Sequence, residues 1–177
     1  MRHQPLSVLL IVFASFAAGG CTSWRLSEPE QPRDAFDPSP PELAQICVFR
    51  RSLLAQAVTF PVHDNGVLVG ATRGRSHFCY HAAPGRHVIA IKADKLERAE
   101  IVAEPGGRYY LEQEVYNTFG HVTCRAVWVA DSVAAELVEA STYRVLVGVP
   151  GSERLPGEVP FAPAEEGDRA RSSVARR

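Results

Sequence analysis

The sequence predicts an all-β protein, a small antiparallel β-sandwich with one short C-terminal helix, on three observations. Short β-prone runs recur at intervals of about ten residues from Ala44 to Val149, the spacing of sandwich strands. Gly, Pro and Asn turns separate the runs, and no long helical pattern intervenes as a parallel α/β sheet would need. Within several runs apolar and polar residues alternate with a strand's period of two.

QICVFRR, from Gln45, opens the folded region, and AVTFPVH, from Ala57, follows it. Asp64-Asn65-Gly66 separates that run from VLVGA. Asn-Gly between apolar runs signals a hairpin, because both residues accept the positive φ of a type I′ turn. SHFCYHA, from Ser76, leads to the turn Pro84-Gly85 and then to RHVIAIKAD. There His87, Ile89 and Ile91 share one face, and Arg86, Val88, Ala90 and Lys92 the other. AEIVAE ends at Pro105-Gly106-Gly107. RYYLEQEVY sets Tyr109, Leu111 and Val115 opposite Glu112 and Glu114, and VTCRAVWVA completes the series. Residues 132–140, SVAAELVEA, read as helix instead: Val133, Leu137 and Ala140 fall at helical spacing, and Asp131 is placed to cap it. YRVLVGV, residues 143–149, adds a last strand.

The chain has 177 residues, room for one domain with extensions, and is 46% hydrophobic and 22% charged, as a globular core requires. A net charge of −1 gives no global field toward nucleic acid or an acidic membrane. Five prolines between Pro29 and Pro41, and four between Pro150 and Pro163, bracket the folded region. Residues 1–20 read as a signal peptide: Arg2 is the basic start, Leu6–Ala18 is apolar but short of the roughly 20 residues a spanning helix needs, and Ala17-Ala18-Gly19-Gly20 are small. Cys21 follows at once. This arrangement resembles a lipobox, in which the Cys thiol is acylated, although Ala18 stands where a large aliphatic is usual. The competing reading is an ordinary cleaved signal followed by a fortuitous Cys. Thr22-Ser23, with no acidic residue, resembles the outer-membrane sorting pattern. Residues 21–43 then read as the lipidated Cys and a Pro-rich, solvated tether, 44–149 as the sandwich, and 150–177 as a disordered tail.

Cys47, Cys79 and Cys124 remain. In an oxidising compartment a pair is expected, and Cys47 with Cys79, mid-strand in neighbouring runs, is the favoured one. That loop of about 30 residues makes the bond worth roughly 3 to 4 kcal/mol, leaving Cys124 over. Three buried free thiols are the alternative. His77, Cys79 and His81 share one strand face and are metal-ligand types. Same-face neighbours start nearly 7 Å apart, so one ion would hardly take all three. The sequence therefore implies no cofactor and no resident metal, and this face reads as solvated or loosely packed.

No G-x-S-x-G elbow, H-E-x-x-H, Walker loop or C-x-x-C is present, so the sequence does not predict an enzyme. Glu112 and Glu114 are expected to meet Arg50 or Lys92 across strands rather than act as an acid/base pair. The strings ICVFR, DNGVLVG, FCY, PGRH and YYLEQEV, in this order over Ile46 to Glu139, resemble an uncharacterised family of bacterial lipoproteins. The part NGVLVG … PGRHVIAI is also similar to the PEGA domain, a small prealbumin-like β-sandwich of bacterial cell surfaces. These resemblances imply a fold and a location, with no activity, cofactor or catalytic residue. The expectation is a lipid-anchored protein of the outer membrane, facing periplasm or surface, that binds an envelope protein or glycan and no nucleic acid. The alternative is a periplasmic metal-handling protein using His77, Cys79 and His81.

Overall fold

A computed structural model describes residues 23–150, 152–153 and 160–165 of the chain; the signal segment and Cys21 lie outside the described residues. The elements are β1 (Arg25–Ser27), β2 (Ala44–Arg50), β3 (Thr59–Asp64), β4 (Val67–Arg73), β5 (Ser76–Ala82), β6 (Gly85–Lys92), β7 (Leu96–Ala103), β8 (Arg108–Thr118), β9 (His121–Val129), α1 (Asp131–Glu139), β10 (Thr142–Tyr143), β11 (Val145–Val149), β12 (Ser152–Glu153) and β13 (Phe161–Ala162). One sheet runs β10-β5-β2-β8-β9, with β13 also on β5. A second runs β4-β3-β6-β7, and β1-β11-β12 form a small third. Pairing is antiparallel except that β2 runs parallel to β8, and β10 and β13 run parallel to β5.

The two larger sheets close on one core, in which Ile46 and Val48 of β2 meet Phe60, Val62, Phe78, Tyr80, Ile89, Ile91 and Leu111. Each such side chain contributes roughly 1.5–3 kcal/mol through burial. The alternate residues of β2, Cys47 and Phe49, face the other way into a second core with Ala35, Cys79, Tyr110, Ala134 and Leu137. Helix α1 is therefore the third layer, lying over the outer face of the sheet that contains β2. Buried on both faces, β2 has all seven residues inside, and between Gln45 and Arg50 its sequence is accordingly apolar without alternation. His87, Ile89 and Ile91 do share the buried face of β6.

Local chemistry explains the turns. Asn65 and Gly66 have φ of 45° and 83°, the positive pair of a type I′ hairpin. Pro61 lies inside β3 but ahead of the segment, Val62–Asp64, that pairs with β6, so its missing N–H costs no bond there. Gly70 is required by packing: a Cβ there would sit 2.3 Å from the Phe78 ring.

Three expectations are corrected. Asp131 does not cap α1; Ala130 is the N-cap and makes no side-chain bond, and Asp131 sits in the first turn, where its charge suits the helix dipole. The tether does not stand free over residues 23–43. Strand β1 pairs with β11, Ala35 is buried, and Phe36 packs on Tyr110 at 5.6 Å. Gln45 Nε2–H donates to the Ala35 carbonyl and Arg108 Nη1–H to that of Phe36. Nor is the tail disordered throughout. Residues 160–162 lie along β5, where His81 N–H donates to Pro160 O, Ala83 N–H donates to Ala162 O and Ala162 is fully buried, and Glu165 N–H continues the contact by donating to Arg86 O. An open strand edge is satisfied by such added backbone pairing, which needs no apolar periodicity.

Candidate functional site

Cys47 and Cys79 stand directly opposite in the β2–β5 register and are joined by a disulfide, with Cα atoms 4.0 Å apart. Cys124 is buried and free, and burial pushes its thiol pKa up to about 11, so it is a poor nucleophile. His77 is on the disulfide's face of β5, but that face is neither solvated nor loose, contrary to expectation. The ring stacks on Phe49 at 5.1 Å and meets the edge of Tyr143 at 5.4 Å. Ser141 gives its hydroxyl proton to Leu137 O, so the 2.8 Å contact between Ser141 Oγ and His77 must be a donation from Nδ1–H. Burial lowers the His77 pKa to about 4, keeping it neutral. His81 is half-buried four residues on. The two histidines are rooted roughly 13 Å apart on the strand, and the Cys79 sulfur between them is spent in the disulfide. Among the described residues no group of three His, Cys, Asp or Glu side chains is placed to hold a metal.

The sequence reading missed the main polar cluster. Tyr80 Oη–H donates to Asp64 Oδ2 at 2.9 Å, and His87 Nδ1 lies 2.8 Å from the same oxygen. His87 Nε2–H donates to the Ala83 carbonyl at 2.7 Å. Tyr80, Asp64 and His87 are fully buried and come from β5, β3 and β6, so the cluster stitches the two sheets together. Burial alone would lower the His87 pKa; the hydrogen bond and charge of Asp64, with the Ala83 carbonyl, outweigh it and leave it raised. In the sequence Asp64 reads only as the first residue of a turn, although His87 on the Ile89/Ile91 face signals a buried polar partner. Buried without an opening, this constellation serves cohesion between the sheets.

Arg50 is likewise buried, against expectation. Its guanidinium donates to the carbonyls of Leu54, Ala55 and Val58 at 2.7 to 2.9 Å and lies 4.2 Å over the Phe60 ring. It thus pins the loop 51–58 to the end of the sandwich. Glu112 pairs with Arg51 at 2.7 Å and Glu114 with Arg125, rather than with Arg50 or Lys92. Arg50 is unavailable because loop carbonyls already hold it.

One end of the sandwich carries most of the exposed apolar surface. β8 runs parallel to β2 and continues through residues 113–118 beyond its last pairing with β2, at Glu112, roughly 20 Å further. Its hairpin with β9 turns on Phe119-Gly120, with φ of 51° and 84°. Phe119 is 99% exposed. A bulky side chain in this left-handed region costs roughly 1–2 kcal/mol, and type I′ turns favour Asn, Asp or Gly there. The turn after β6 is fixed to the hairpin base, Asp94 N–H donating to Val122 O at 3.1 Å and Val122 N–H to Asp94 Oδ2 at 2.6 Å. Leu53, Leu54, Val58, Leu96, Tyr116 and Phe119, six of the nine large exposed hydrophobics among the described residues, sit at this end.

Compared with models of known protein families, with curated proteins and with solved structures, the chain matches none.

Proposed function

We propose that the chain is a membrane-anchored lipoprotein of the bacterial cell envelope, held by a lipid on Cys21 in the outer membrane and facing periplasm or surface. Its sandwich is a non-catalytic binding or structural module for another envelope protein or a glycan. The observation that carries this reading is the Cys47–Cys79 disulfide, buried between a strand pair and the helix. Such bonds persist in oxidising compartments, and the signal-like first twenty residues, followed at once by Cys21, lead to one. The resemblance to the uncharacterised lipoprotein family and to the PEGA domain supports the same location. The non-catalytic reading is supported by where the reactive side chains go: Asp64 and His87 to each other, His77 to Ser141, Arg50 to loop carbonyls. The metal-handling alternative loses support with Cys79 in the disulfide, since each adjacent ligand pair on β5 includes that sulfur.

The test is metabolic labelling with a fatty acid followed by fractionation. The wild-type chain takes up label and stays with membranes, and Cys21→Ser takes up none and leaves them. Label in the variant contradicts the anchor.

A further inference from the structure

We propose that the loop end of the sandwich rests on the bilayer that holds the Cys21 lipid, with Phe119, Leu53 and Leu54 seated among the lipid headgroups. This rests on the lipid-anchor reading above and adds an orientation to it.

Chain length gives the first argument. Three residue steps separate Cys21 from Trp24, at most about 11 Å when fully extended. Trp24 is already part of the fold, its carbonyl accepting from Arg73 Nη2–H at 3.3 Å, and β1 starts at the next residue. Arg73 also donates through Nε–H to Thr59 Oγ1 at 2.9 Å, at the foot of the loop 51–58. The point where the chain leaves toward Cys21 is therefore at the same end as that loop and the Phe119 hairpin. A lipid on Cys21 holds this end within about 11 Å of the headgroups, and the hairpin tip extends two or three residues, roughly 7–10 Å, past the Asn117–Val122 pair that Asp94 holds, a comparable distance.

The chemistry of the end matches the interface. Large apolar side chains gather there, and the ends of β4 and β6, with the turns that follow them, add Arg73, Arg75, Lys92 and Lys95. Of the acidic groups nearby, Glu112 and Glu114 are paired with Arg51 and Arg125, Asp94 lies against His121, and Glu97 accepts from Ala126 N–H, so four carboxylates face the seven cations Arg50, Arg51, Arg73, Arg75, Lys92, Lys95 and Arg125. The sum over the whole chain, −1, hides this local cationic surplus. Apolar side chains ringed by Lys and Arg suit the boundary between acyl chains and phosphates. Phe119 supplies the wedge: a fully exposed ring at a two-residue turn, in a backbone conformation that a residue chosen for the turn alone would not need.

The experiment uses the full-length lipidated protein, reconstituted in phosphatidylethanolamine–phosphatidylglycerol vesicles whose acyl chains are brominated near the headgroup. Flotation with the vesicles reads the anchor. Bromine quenching of tryptophan fluorescence reads the orientation, with Phe119→Trp adding an indole at the hairpin tip and Val102→Trp adding one at the opposite end. The emission added by Phe119→Trp should fall at least about twofold in brominated vesicles, as an interfacial ring requires, and that added by Val102→Trp should not change. Leu54→Trp, on the same face, should follow Phe119→Trp and is independent of the strained turn. Flotation without selective quenching at either position overturns the orientation, leaves the anchor standing and frees this end for a protein partner. Failure to float overturns both.

Discussion

His77 and His87 carry the same imidazole into opposite settings, and each makes stability depend on pH in its own direction. His77 is wedged between Phe49 and Tyr143, where burial outweighs the opposing charge of Asp34, and its pKa falls to about 4. Its neutral form is what the fold accepts, so its contribution is intact above the unfolded value near 6.5 and is lost as pH falls toward 4. A shift of that size is worth about 3 kcal/mol at pH 4. His87 is the reverse case: paired with Asp64, its pKa is raised, so its contribution is intact below about 6.5 and is lost as pH rises through the folded value. Denaturant unfolding of wild type and His77→Phe across pH 4 to 8 should show the variant without the His77 part of the acid-side loss, a relative gain of about 3 kcal/mol between pH 7 and pH 4. The alkaline-side fall due to His87 should remain in both proteins. Parallel acid limbs would mean that His77 is not held neutral.

Strand period and turn chemistry made most of the elements legible, and the misses share a physical cause. SHFCYHA matches β5 residue for residue, and the other long strands differ by a few residues at their ends. β1, β10, β12 and β13 have two or three residues each, too few for any alternation, and owe their place to backbone pairing along edges already built. The Pro-, Glu- and Arg-rich composition of residues 150–177 argues for disorder because composition cannot see that β5 offers unpaired N–H groups. Asn65 strengthens the dock, its Nδ2 donating to both Arg86 O and Pro163 O, and Glu165 pairs with Arg86. Removing residues 160–177 should therefore uncover the outer edge of β5 beside His81 and lower the melting temperature by more than about 5 °C, the equivalent of roughly 1 kcal/mol in a domain of this size. A melting curve unchanged by the deletion would mean that this segment adds nothing to the edge it covers.

Across the whole molecule the layers explain why one sheet is protected on both faces. The four-stranded sheet covers one side of β2, while α1 and the Ala35–Phe36 segment cover the other. The disulfide locks β2 to β5 within the second of these cores, and the Tyr80–Asp64–His87 cluster ties the two large sheets together. The region expected to be a tether is largely laid down on the domain, which leaves only a few residues between Cys21 and the fold. Intact mass spectrometry of protein extracted from membranes without reduction tests the proposed Cys21 anchor most directly. The mature chain should begin at Cys21, exceed its sequence mass by acyl groups confined to the peptide containing Cys21, and lack the two hydrogens of the Cys47–Cys79 disulfide. A mature chain with an unmodified Cys21, or one that begins elsewhere, would contradict it.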